Sequence, residues 1–158
     1  MSKHSYAVLT MAALALVACG EKKPAADTTA ASSAAPPAAA ATPAAIGVTI
    51  VSPKNGDTTA ADVSIVLSKL GPVTIEKANS TKIEGVGHYH LFVDTTAVAN
   101  GQVIPPTTKH TIHIGTGDST FTLKGLAPGQ HQVIAVIGYG DHSVMAATRD
   151  TVNFVVKK

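Results

Sequence analysis

From residue 46 onward, apolar and polar residues alternate with a period of two. Val63, Ile65 and Leu67 are interleaved with Ser64, Val66 and Ser68, and Phe121 and Leu123 with Thr120, Thr122 and Lys124. A period of two is the signature of a half-buried strand. Further strands are predicted over 47–51, 73–76, 110–114 and 152–156. The stretch 131–137 is apolar on both faces from Val133 onward, as in a strand central to a packed sheet. Turn chemistry separates the runs at Asn55-Gly56, Gly71-Pro72, Asn100-Gly101, Pro105-Pro106, Gly115 to Asp118, Pro128-Gly129 and Gly138 to Asp141. About seven short strands with no helical period predict an all-β, immunoglobulin-like β-sandwich.

The central stretch is Gly85-Val86-Gly87-His88-Tyr89-His90-Leu91-Phe92-Val93-Asp94. On a strand His88 and His90 share one face, roughly 7 Å apart, while Tyr89, Leu91 and Val93 share the other.

The first 45 residues read differently. Residues 1–18 combine a weakly basic start with an apolar run too short to span a bilayer, as in an export signal. Leu16-Val17-Ala18-Cys19 resembles a lipobox, which implies diacylglycerol on Cys19 and cleavage before it. Gly20 rather than Asp follows the cysteine, which by resemblance to known lipoprotein sorting rules implies the outer membrane of a Gram-negative envelope. Residues 19–45, rich in Ala, Pro and Thr, form a solvated tether, leaving 46–158 as one domain.

Cys19 is the only cysteine, so the domain has neither disulfide nor thiolate ligand. Lys plus Arg number 12 against 10 Asp plus Glu, with no basic stripe, which argues against nucleic acid. The membrane, through the lipid anchor, and an envelope protein are the partners to expect.

Six of the seven histidines lie between residues 88 and 142. If Ile112 and Ile114 face the core, His113 points outward beside Thr111 and His110 falls on the Ile112 face. Pairing of the His88 strand with the His113 strand gathers three imidazoles, and His142 or Asp141 completes the set. The candidate ligands are His88, His90, His113 and His142, with His110, His131 and Asp141 behind them. Nitrogen and oxygen donors without thiolate suit Cu(II), Zn(II) or Ni(II). Binding through neutral imidazole is expected to weaken as pH falls towards about 6. Asp94 or Asp141 is placed to accept a second ring N–H, and Met145 is a soft ligand for copper or else core filler. A Ser–His–Asp set drawn from Ser119 or Ser143 with Asp141 lacks a nucleophile elbow, and Gly85-Val86-Gly87 lacks the context of a phosphate loop, so no enzyme is expected.

Several of these segments together resemble the domain-of-unknown-function 4399 family across most of 46–156. They are Gly85 to Asp94, Gln102-Val103-Ile104-Pro105, Thr111-Ile112-His113-Ile114-Gly115, Leu126 to His131, and Gly140-Asp141-His142. The resemblance implies a small secreted β-domain without an established activity. Against the family pattern, Tyr89 replaces the middle of three histidines, Thr111 replaces the first of a His-x-His pair, and Ser143-Val144-Met145 replaces a His- and Pro-containing continuation. His88, His90, His113, His131 and His142 keep it.

Two readings follow. One is an envelope lipoprotein binding copper or zinc for storage, delivery or sensing. The other is a metal-free structural module whose histidines hydrogen-bond on a face that docks an envelope protein or glycan.

Overall fold

The computed structural model describes residues 45–158, so the predicted signal, Cys19 and nearly all of the tether lie outside the described residues. Nine strands form: β1 (Gly47–Ser52), β2 (Thr58–Thr59), β3 (Val63–Leu70), β4 (Thr74–Ile75), β5 (Val86–Val93), β6 (Thr111–Ile114), β7 (Thr120–Leu123), β8 (Gly129–Gly138) and β9 (Asp150–Val156). Among the described residues there is no helix.

One sheet runs β1-β3-β7 and the other β2-β9-β8-β5, with β4 and β6 both paired to the far edge of β5. The pairings are antiparallel except β2 with β9 and β4 with β5. This is the immunoglobulin-like arrangement, A-B-E facing G-F-C, with β2 as the short strand that leaves the first sheet to lie along the last strand. The predicted strands are all present, although the one at 73–76 shortens to β4, and β2 is an addition the alternation did not signal.

The main core follows from the period of two. Val63, Ile65 and Leu67 of β3 meet Tyr89, Leu91 and Val93 of β5 and Val133, Ala135 and Ile137 of β8. Burying each large side chain contributes about 1.5–3 kcal/mol.

β5 is buried on its other face as well, from Gly87 to Val93. There His88, His90 and Phe92 project beside Val136 of β8, and two loops fold over them. Ile104, from the loop after β5, and Val144, from the loop after β8, close a second, smaller core with Phe92 and Val136. The two loops are tied together by backbone hydrogen bonds, Gly101 N–H to Val144 C=O (2.8 Å), Val144 N–H to Gln102 C=O (2.9 Å) and Ile104 N–H to His142 C=O (2.9 Å). Arg149 fastens the near end by donating to Val98 C=O (3.1 Å) and Asn100 Oδ1 (2.6 Å). Loops with satisfied backbone groups can cover a sheet face at little cost, and this cover sets the surroundings of the histidines.

Candidate metal centre

Strand register brings the imidazoles together. His90 stands directly opposite His113 on β6 and Val136 on β8, and His88 stands opposite Gly138. Directly opposed residues on neighbouring antiparallel strands lie within about 5.5 Å, and the His90 and His113 rings stack with centroids 5.0 Å apart at 17°. His142 arrives from the turn after β8. It takes a left-handed conformation (φ 62°), donates its N–H to Tyr139 C=O (2.9 Å), and has its own carbonyl held by Ile104. Its ring lies 5.2 Å from His88, 5.5 Å from His90 and 4.9 Å from His113. One ring nitrogen from each of His88, His90, His113 and His142 falls within 4.8 Å of every other.

Glycines make room for the rings. A Cβ on Gly138 would come within 3.0 Å of the His90 ring and 3.1 Å of Ile104, and one on Gly115 within 2.5 Å of the His113 ring. On Gly140, any side chain would run into Thr81 C=O and the Asn79 amide, so the turn that delivers His142 rests directly on the loop before β5.

His88 and His90 are each 1% exposed. Their Nε2 atoms are 2.8 Å apart, one donating and the other accepting according to tautomer. His90 Nδ1 and His113 Nε2 are buried without a hydrogen-bond partner, and each such atom costs about 1–3 kcal/mol. Burial above all, then the neighbouring imidazoles His113 and His142, lowers the His88 pKa to about 4. Burial, then His88, His113 and His142, lowers that of His90 to about 2. His113 is lowered too, by burial and then by His142. These three rings are neutral at pH 7, the form that binds a metal.

The cluster could hold a cation. Two nitrogens at about 2.0–2.1 Å from one zinc-sized ion lie about 2.9 Å apart at a right angle and about 3.3 Å apart in a tetrahedron. The 2.8 Å pair is already at the first spacing. A cleft of about 400 Å³, lined by His90, Ile104, Pro105, Pro106, His113 and His142 among others, leads from solvent to the rings.

The structure corrects several expectations. His110 and His131 are not in the cluster. His110 lies on the Ile112 face of β6, as its parity requires, and its Nδ1–H donates to Val93 C=O (2.9 Å). His131 lies near the start of β8, where Nδ1 donates to Asp94 Oδ2 (2.7 Å) and Nε2 to Ala127 C=O (2.8 Å). Two acceptors require two ring protons. Burial opposes that charge, but the Ala127 and Asp94 hydrogen bonds and the Asp94 charge outweigh it and raise the pKa. Asp94 is therefore engaged with His131, not with the imidazole cluster. Asp141 lines the cleft, but its Oδ1 accepts from Ser143 N–H (2.9 Å) and Oγ–H (2.6 Å). Those bonds, with a smaller contribution from Lys82, hold its carboxyl below the usual range. Met145 is core filler, 3% exposed within the main core. Sequence reasoning passed over Gly115, Gly138 and Ile104, whose closeness to the rings depends on register and loop path. For Gly115 and Gly138 the one signal in the chain was a place close to a histidine-bearing segment; Ile104 had no such signal.

Fold and site together define a disulfide-free, immunoglobulin-like domain with four clustered imidazoles under the covered face of one sheet. The chain belongs to the family described as a domain of unknown function, DUF4399, whose profile matches residues 66–157 and so takes in all four histidines. No curated protein matches it. Among solved structures it is similar to the extracellular domain of a candidate one-component system from B. thetaiotaomicron, at 11% identity and a TM-score of 0.39. That alignment covers 73% of this chain but only 16% of the other, a likeness too distant to bear on function.

Proposed function

We propose that the domain binds one divalent transition-metal ion, copper or zinc, through His88, His90, His113 and His142. The observation that carries the reading is the convergence of four ring nitrogens, from three separate chain segments, within 4.8 Å. The two partnerless buried nitrogens support it, because an ion supplies the interaction the protein withholds from them. Four imidazoles without a carboxylate suit Zn(II) and Cu(II) rather than hard cations. The role is binding, for storage, delivery or sensing, and not catalysis. We further propose that the chain is an envelope lipoprotein anchored through Cys19, on the strength of Leu16-Val17-Ala18-Cys19.

One observation favours the metal-free alternative: the His88–His90 hydrogen bond already partners one nitrogen of each ring. Calorimetric titration of the metal-free full chain separates the two readings. Metal binding gives a saturable transition at one Cu(II) or Zn(II) per chain. His142→Ala, on a turn, and the His88→Ala/His90→Ala double variant each lower the affinity by more than about 10-fold, the least that losing even a residue one shell outside the ligands costs. No heat with either ion, or affinity indifferent to both variants, leaves the domain an interaction module. The anchor is tested separately: Cys19→Ser shifts the chain from the detergent phase to the aqueous phase on partitioning.

A further inference from the structure

We propose that the open side of the sandwich is a second binding site, for an anionic amphiphile: a molecule with an apolar body and one carboxylate-like head. The site is independent of the metal reading. It lies between β6, at the edge of one sheet, and β7, at the edge of the other, where no strand joins the two sheets. The cavity measures about 800 Å³, within the range of about 300–1,000 Å³ typical of small-molecule sites.

Its floor and its rim differ in chemistry. Val93 and Leu123 are buried in the floor, and Ile112, Phe121 and Leu126 are only partly covered by the core they pack against, turning their remaining surface to the cavity. Half-buried apolar groups of this size gain when an apolar body displaces water from them. The rim carries Lys109 and Lys124, both exposed, and among the described residues neither has an ion-pair partner within 4.0 Å. The carboxylate at the cavity, Asp94, is taken up: one oxygen accepts from doubly bonded His131 and the other from Gln132 N–H (2.9 Å). Asp62 stands behind the lining, its Oδ1 accepting from Gly125 N–H (2.9 Å), so the two lysines leave the rim net positive, and long lysine side chains can fold over a bound molecule while keeping the ammonium at its polar end. Apolar depth with cationic edges selects a hydrocarbon chain or ring that ends in an acid, over a neutral or cationic counterpart.

The test is amide NMR on the labelled full chain, titrated with decanoate, decanol and decyltrimethylammonium, each below its micelle concentration. Decanoate is expected to shift the Ile112, Phe121 and Leu126 amides saturably, while decanol binds several-fold more weakly and the cation more weakly still. Lys109→Glu/Lys124→Glu, at exposed positions that leave the fold intact, is expected to weaken decanoate roughly tenfold. Leu126→Ser, which removes apolar floor without adding charge, is expected to weaken all three probes. Equal binding of the three probes, shifts that do not saturate or that fall elsewhere in the chain, or indifference to the lysine reversal each overturns the proposal.

Discussion

His90 is the most constrained of the imidazoles, stacked on His113, bonded to His88 and closed off by Gly138 and Ile104. Its lowered pKa and that of His88 have a consequence for stability. The ordinary pKa of 6.5 applies in the unfolded chain, whereas the folded values are about 4 for His88 and about 2 for His90. Below pH 6.5 the unfolded state therefore binds more protons than the folded one, so folding stability drops as the pH drops. The contribution is fully present above about pH 6.5 and is lost progressively as pH falls, through about 4 for His88 and about 2 for His90. Denaturant melts at stepped pH are expected to show this decline, and His88→Gln/His90→Gln is expected to flatten it. For a metal bound there, the same shift would move proton competition below the window near pH 6 that free imidazole implies. Parity was legible for these residues: alternation put His88 and His90 on one face and His113, not His110, on the matching one. Register was not, because it depends on which residues of β6 and β8 stop opposite β5.

At the scale of elements, β5 and β8 explain most of the site. The apolar run of β8 correctly signalled a strand buried on both faces, between β9 and β5. The mixed run of β5 gave only half its meaning. Its histidine face resembles the polar side of an ordinary amphipathic strand, whereas in the fold that face is roofed by two loops. Loops with Gly, Pro and Thr carry little hydrophobic periodicity, so their inward residues, Ile104 and Val144, did not stand out. His142 was legible only as a histidine in a turn, since its left-handed backbone and its tie to Ile104 are set by the loop pair. The roof makes a direct prediction. Ile104→Ala removes a side chain that is 4% exposed, which costs about 2–5 kcal/mol in a well-packed site. It is expected to lower the unfolding midpoint and to raise hydrogen exchange at Gly101 and Val144 while leaving β1 and β3 protected. Uniform loss of protection would mean the roof is not a separate unit.

Taken whole, the domain has a modest core and a fold whose partners are distant in sequence, as antiparallel sandwiches require. An ion bound only to the folded form would raise its stability by about 2.7 kcal/mol at a free concentration 100-fold above Kd. For a domain of this size that is on the order of 10 °C in Tm. Calorimetric scans of the full chain with and without Zn(II) check this, and His142→Ala is expected to cut the shift by about half or more. The sandwich itself could be read from the composition and turn spacing of residues 46–158, but the second cavity could not, because it exists only where two sheet edges fail to meet.

The ligands come from β5, from β6 and from the turn beyond β8, in a chain whose single cysteine leaves it no sulfur bridge of its own. A cation gripping all three segments would do what a cystine does in other proteins: it would cross-link the polypeptide and shrink the ensemble available to the denatured form. A chelator would undo such a clamp, so loading with metal would also set how long the protein survives proteases.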